Sequence, residues 1–195
     1  NPSRILKKSK HIHFKIPTPT PVDRVVYDIE NGSVGYNRKP LYGGLTFTLE
    51  RGQKIGIIGA NGLGKSTLLK TLVGAIEPIA GSFRESSRIQ KLYFSQDRMD
   101  SLSDSKSALD SLLDTGMGEN QARSTLGNFL FSGEDVHKKT SVLSGGEKTR
   151  LAMACLLAKE GNVLFLDEPT NHLDMKSIDI FTSALQQYTG TLVFV

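Results

Sequence analysis

Nine consecutive residues, Gly59-Ala60-Asn61-Gly62-Leu63-Gly64-Lys65-Ser66-Thr67, have the types and spacing needed to hold a triphosphate. Three glycines let the backbone curl around closely spaced phosphate oxygens with its N–H groups turned inward. A helix starting near Lys65 would add its unpaired first-turn amides and its positive dipole end. Lys65 is long enough to reach the β- and γ-phosphates, and the Ser66 hydroxyl suits Mg²⁺. A second chemical element follows about a hundred residues later. Val163-Leu164-Phe165-Leu166 is apolar, and Asp167-Glu168 then supplies two carboxylates. An acid at the carboxyl end of a strand beside the glycine loop is placed to hold Mg²⁺ with Ser66. The next carboxylate, Glu168, is placed to accept a proton from a water attacking the γ-phosphate.

Positioning these groups requires strand, turn and helix in the right order. Lys54-Ile55-Gly56-Ile57-Ile58 is short and β-branched and reads as a buried strand, while Leu68 to Val73 has helical spacing. Gly74 and Pro78 close that helix. Upstream, Val25 to Ile29 and Leu45 to Leu49 read as strands, separated by Ser33 to Tyr36 and a turn at Asn37 to Pro40. Downstream, Ile89 to Phe94 is a strand ending in Ser95-Gln96. Serines, acids and glycines then separate two helical pieces, Lys106 to Leu113 and Glu119 to Phe131, in an insert spanning about 97–142. Leu143-Ser144-Gly145-Gly146-Glu147 opens a helix through Lys159. Asn162 to Leu166 is a buried strand, Met175 to Tyr188 a helix, and Gly190 to Val195 the start of another strand. Strands alternating with helices imply an α/β fold with a largely parallel sheet and ligands at the strand carboxyl ends.

The chain has 195 residues and a formal charge of +4, and the charge is unevenly placed. Five basic residues and no acid precede Asp23, leaving 19 basic against 20 acidic residues in the remainder. Residues 1–22 form a segment of their own, basic to Lys15 and then stiffened by Pro17-Thr18-Pro19-Thr20-Pro21. That segment reads either as a solvated face or as a phosphate-contacting arm. The folded domain is expected over 23–195. The chain opens without Met and stops within an apolar stretch, so a fragment of a longer protein, truncated at its carboxyl end, is expected. Apolar runs fall far short of the roughly 20 residues a membrane helix needs. The single cysteine, Cys155, excludes an internal disulfide and reads as a buried thiol in a reducing, cytoplasmic protein.

Leu143-Ser144-Gly145-Gly146-Glu147 resembles the signature motif of ATP-binding cassette (ABC) ATPases, and Leu166-Asp167-Glu168-Pro169-Thr170 resembles their Walker B region. The resemblance runs from about Val25 to the end of the chain. It implies a P-loop NTPase fold, a mostly parallel core sheet with antiparallel strands on its amino-terminal side, and hydrolysis of ATP with Mg²⁺. It further implies that Ser144, Gly145, Gly146 and Glu147 act in trans on ATP held by a second cassette. By the same resemblance, Gln96 is the Q-loop glutamine that contacts Mg²⁺ or water. Tyr36 is the aromatic that stacks on adenine, and Asp174 is the D-loop aspartate. The switch histidine is expected after Val195, and His172 is not that residue.

Ser144-Gly145-Gly146-Glu147-Lys148-Thr149-Arg150-Leu151 and Glu168-Pro169-Thr170-Asn171-His172-Leu173-Asp174 are similar to the ABC-F subfamily; transporter cassettes more often carry Gln in the first motif. That likeness implies two cassettes on one chain, no membrane domain, and a charged linker whose end is residues 1–22. It also implies action on ribosomes, with tRNA nearby, in translation or in protection from antibiotics. The other readings are the ATPase subunit of a membrane transporter and a scaffold that closes on ATP without turnover.

Overall fold

The computed structural model describes residues 16–95, 102–171 and 173–195. They form two sheets and five helices. An antiparallel sheet takes the order β2-β1-β4, from β1 (Val25–Tyr36), β2 (Lys39–Glu50) and β4 (Ala80–Glu85). A parallel sheet takes the order β3-β7-β6-β5, from β3 (Lys54–Gly56), β5 (Lys91–Phe94), β6 (Val163–Leu166) and β7 (Thr191–Phe194). The α/β architecture with both kinds of strand is the one expected.

Strand β6 shows why the sequence reads as it does. All four of its residues are fully buried. Val163 and Phe165 join one apolar cluster, with Leu68, Leu69 and Leu72 of α1 (Lys65–Val73) and Val26 and Ile29 of β1. Leu164 and Leu166 join the other, with Leu151, Ala154 and Leu157 of α4 (Gly145–Leu157) and Ile180 and Phe181 of α5 (Met175–Gln187). A strand covered on both faces has no polar face, so it reads as a continuous apolar run instead of an alternation.

The β1–β2 hairpin is longer and tighter than expected. Its connection is only Asn37-Arg38, at φ 50° and 62°. Two consecutive positive φ values are the primed hairpin geometry that matches strand twist, and Asn tolerates it well. Pro40, expected in the turn, instead lies in β2, opposite Gly35. Since β2 is a sheet edge, its missing N–H costs no ladder bond on the outer side. The expected break between Ile29 and Ser33 is a register shift within one strand, with Asn31 at φ 49°. Strand β4 had no apolar signature to reveal it, because only Ser82 and Phe83 are partly buried and the rest, Arg84 and Glu85 among them, are exposed.

The strand before the glycine loop corrects another expectation. Only Lys54–Gly56 forms β3, and it is not buried; Ile58 is 97% exposed. Among the described residues β3 has a single neighbour, β7, and after Ile57 donates to the Phe194 carbonyl at 2.8 Å the chain departs from the sheet. The helix that follows ends as expected: Gly74 sits at φ 87°, and Ala75 N–H returns to the Lys70 carbonyl at 2.8 Å.

The insert contains α2 (Ala108–Leu113) and α3 (Glu119–Asn128), packed on α4 through Leu112, Ala122 and Leu126, all fully buried. Cys155 of α4 donates to the Ser111 carbonyl at 3.5 Å, and desolvation pushes its thiol up to about 12. Of the amino-terminal segment, residues 16–22 lie on the domain. The Asn162 amide donates to the Thr20 hydroxyl at 3.1 Å, and Arg51 donates to the Val22 carbonyl at 2.9 Å. Among the described residues no helix is long and apolar enough to cross a membrane.

Because Leu164 is sealed between β5 and β7 and against the α4–α5 layer, truncation there leaves a cavity that its hydrogen-bonded strand cannot close. Leu164→Ala is expected to reduce unfolding free energy by about 2–5 kcal/mol. A lowered urea midpoint at unchanged m-value checks it.

Candidate nucleotide-binding site

The glycine loop and the end of β6 converge. Ser66, in the first turn of α1, donates from its hydroxyl to Asp167 Oδ1 at 2.8 Å, across a separation of 101 residues. Asp167 is buried, and its backbone N–H donates to the Phe94 carbonyl at 2.9 Å, which extends the β5–β6 ladder one residue beyond the strand. The carboxylate is therefore held by the sheet and not by a loop.

Gly62 and Gly64 adopt φ 82° and 84°, the left-handed region that favours glycine. Gly64 needs its small size as well, because an added Cβ would lie 2.9 Å from the Tyr42 ring and 3.1 Å from Leu41. Gly59 has neither requirement, as its Cβ would meet only ordinary contacts at 3.6 Å and beyond. The expectation that all three glycines free the backbone thus holds for two of them. Gly64 is also the N-cap of α1 and supplies no side-chain bond, so the first-turn amides are left for another partner. Lys65 folds back, its ammonium donating to the Gly59 and Ala60 carbonyls at 2.9 Å each. A curled loop, uncapped amides and a poised ammonium make an anion cradle.

Above the cradle is an open cavity of about 360 Å³. Asn61, Gly62, Gly64, Lys65, Ser66 and Thr67 of the loop and helix start line it, together with Tyr36, Leu41 and Glu168. Ala60 and Leu63 complete the loop, Leu63 being largely exposed. Tyr36, at the end of β1, is half exposed, and its hydroxyl accepts from Thr67 Oγ1 at 3.3 Å. Leu41 and Tyr42 escaped the sequence reading. The hairpin brings Leu41 over the loop, and the Tyr42 hydroxyl donates to the Gly64 carbonyl at 3.3 Å. Apolar character in an edge strand beside a proline gave no signal of that contact.

Glu168 follows Asp167 at φ 46°, which turns its side chain out of the sheet direction. For a residue with a Cβ this conformation costs about 1–2 kcal/mol. Asn171 holds it there: its amide donates to Glu168 Oε2 at 2.5 Å, and its N–H donates to the Glu168 carbonyl at 3.2 Å. Two carboxylates one residue apart thus take different directions, Asp167 toward Ser66 and Glu168 toward the cavity. One carboxylate and one hydroxyl suit Mg²⁺, a hard cation that takes few protein oxygens and shares the rest of its shell with substrate phosphates and water. Among the described residues no group of three or more His, Cys, Asp or Glu could hold a metal without such a substrate.

The Ser-Gly-Gly-Glu stretch lies elsewhere. None of Ser144, Gly145, Gly146 and Glu147 lines the cavity above Lys65. Ser144 is exposed and is the N-cap of α4 in a capping box. Its N–H and hydroxyl donate to Glu147 Oε2 at 2.8 and 2.7 Å, and Glu147 N–H returns to the hydroxyl at 3.3 Å. Those bonds from Ser144 hold the Glu147 carboxyl below the usual glutamate range. Asp174 is the N-cap of α5. Its Oδ1 accepts from Ser177 N–H at 2.8 Å, and that bond chiefly lowers its pKa. Gln96 and His172 lie outside the described residues.

A family model described as "ABC transporter" matches residues 42–171, which include the glycine loop, the capping-box serine and the paired carboxylates. The chain is similar to the putative ATP-binding protein YdiF of Bacillus subtilis (43% identity over 97% of this chain and 29% of that protein). It is also similar to ABC transporter F family member 5 of Arabidopsis thaliana (33% over 95% of this chain and 27% of that one). It thus spans about a third of the length of the curated relatives it matches, or somewhat less. In fold it resembles a putative ABC transporter ATP-binding protein from Pyrococcus furiosus, with a TM-score of 0.74 at 24% identity over 87% of this chain and 90% of that one.

The capping box gives a pH-dependent contribution. A carboxyl whose native pKa is lowered stabilises the fold above its unfolded value and loses that effect as pH falls through the native one. Glu147→Ala is expected to cost about 0.5–1 kcal/mol at neutral pH. That difference should be smaller at about pH 3, below the ordinary glutamate value, and should shrink further as pH falls through the lowered native one. Urea unfolding of both proteins at the two pH values measures it.

Proposed function

The chain belongs to the ABC transporter ATP-binding family, and we propose that it is the ATP-hydrolysing second cassette of an ABC-F protein that works on ribosomes. The observation that carries the ATPase reading is the 2.8 Å bond to Asp167 from Ser66, which with Glu168 lines the cavity. In this reading the uncapped amides of α1 and Lys65 bind the β- and γ-phosphates, the lysine exchanging its two loop carbonyls for phosphate oxygens. Tyr36 and Leu41 flank the base. Ser66 and Asp167, joined by Gln96, would hold Mg²⁺, which when bound offsets charge on the phosphate oxygens. Glu168 takes the proton of the attacking water.

A single cavity of this kind is open on one side. The exposed Ser144 and Gly145, which do not line it, face outward to close the corresponding cavity of a second cassette, and Asp174 accompanies them. The ABC-F assignment is supported by the wording Ser-Gly-Gly-Glu-Lys-Thr-Arg and Glu-Pro-Thr-Asn-His-Leu-Asp and by similarity to a protein named as an F family member. Residues 1–22 are then the end of a linker between cassettes and 23–195 the cassette, with its insert at about 97–142. Ribosome binding and a cytoplasmic location rest on the subfamily likeness, and the basic segment before Asp23 supplies phosphate-contacting charge.

Two outcomes are expected of the intact parent protein. Glu168→Gln should lower kcat by at least about 10²-fold while nucleotide binding persists, since the change removes the proton acceptor and leaves the cradle. Unchanged turnover would remove Glu168 from the mechanism. In sedimentation, the same variant should travel with ribosomes when ATP is present and dissociate progressively as salt rises. No ATP-dependent association at low salt would end the ribosome assignment.

A further inference from the structure

Arg150 is a largely buried cation outside the nucleotide cavity, its side chain 13% exposed. It lies one helical turn beyond Gly146, and its Nη1 would be 3.9 Å from a Cβ at that glycine, so the guanidinium folds back beneath the start of α4. Two other segments meet it there, the end of α3 and the start of α5. Nε donates to the Phe129 carbonyl at 3.1 Å, at the end of α3 in the insert. Nη1 donates to the Ser177 hydroxyl at 3.0 Å, in the first turn of α5, and stands 3.7 Å from Asp174 Oδ2 at that helix's N-cap. The guanidinium also lies over the Phe131 ring, 5.7 Å from its centre.

We propose that Arg150 is a positioning residue that locks the start of α4, with Ser144, to the start of α5, with Asp174, so that both are presented to the opposite cassette as one rigid unit. This deepens the two-cassette reading above and rests on it. Three features carry the argument. Asp174 is divided between two tasks, Oδ1 capping α5 and Oδ2 facing the guanidinium. Ser177 is buried at 1% exposure, so its hydroxyl has no access to bulk water in place of the arginine. A carbonyl and a hydroxyl accept from two different nitrogens of the fork while a carboxylate 3.7 Å away meets its charge, and a planar guanidinium with fixed, divergent donors does all three at once. A lysine places one charge at a point and cannot. The carbonyl of Phe129 also ties the insert to the junction, so a movement of the insert would pass to Ser144 and Asp174 together.

The test uses the intact two-cassette protein. Arg150→Lys keeps the charge and loses the fork, and it is expected to lower kcat on the order of 10²-fold through misplacement of Ser144. Binding of a fluorescent ATP analogue to the cavity above Lys65, and KM, should change less than about twofold, because that cradle is untouched. Ser177→Ala, which removes one acceptor, should shift kcat in the same direction by roughly tenfold, about one charged hydrogen bond. In a Glu168→Gln background, ATP-driven closure of the two cassettes, followed by small-angle scattering, should be present without and absent with Arg150→Lys. Wild-type kcat and closure in Arg150→Lys would overturn the inference, as would a loss lying wholly in KM. If Arg150→Lys lowers the melting temperature, the Ser177→Ala comparison decides alone, and an unaltered kcat there overturns it. Failure of the Glu168→Gln parent itself to close on ATP would instead remove the two-cassette reading, and the inference with it.

Discussion

The bond from Ser66 to Asp167 joins the two halves of the molecule that carry chemistry, and its short length depends on most of the fold. Ser66 belongs to a helix whose Leu68, Leu69 and Leu72 pack against the antiparallel sheet and one face of the parallel one. Asp167 follows a strand gripped on both sides. Its own N–H is donated to Phe94, and the Leu166 carbonyl accepts from Val195 at 2.9 Å. Neither end of the bond has slack. Rigid backbone on both sides is what lets two short side chains fix a point at which a hard cation and a phosphate could meet.

The same rigidity separates the two carboxylates. Asp167, just past β6, keeps its N–H in the ladder to Phe94 and faces α1, whereas Glu168 turns into the left-handed region and faces the cavity. The cost of that conformation is offset locally by the two bonds from Asn171 and globally by the packed strand that precedes it. Adjacent acids on one strand end are thereby assigned to different partners without any second element being needed.

What could be read in the sequence was what is encoded locally. The glycine loop, the apolar run of β6 and its terminal acids occupy contiguous windows, and so do the N-caps Ser144 and Asp174. The chain around each adopts the strand or helix start that its own pattern favours. What escaped was set by distant partners. Ile58 looks like a core residue, yet it is exposed because β3 has one neighbour among the described residues. Strand β4 pairs with β1 through backbone bonds and buries little. Leu41 and Tyr42 reach the loop only because the Asn37-Arg38 turn folds β2 back over it. Arg150 looked like part of a motif's tail, and its partners lie 21 and 27 residues away.

The two helix starts that the proposed mechanism uses differ in how ready they are. Helix α1 begins at a glycine with no side-chain cap, so its amides are open to an anion at all times. Helix α4 already has an anion at its N-terminus, since Glu147 accepts from both the N–H and the hydroxyl of Ser144. An incoming phosphate must therefore compete with that carboxylate for the same donors and against its charge. It carries more negative charge than a carboxylate, and the Arg150 guanidinium beneath Gly146 favours it further. An isolated carboxylate ligand has no such advantage over Glu147. Under the two-cassette reading this makes the second helix start a selective one: it is satisfied by its own chain until a triphosphate, already gripped by another loop, is brought against it.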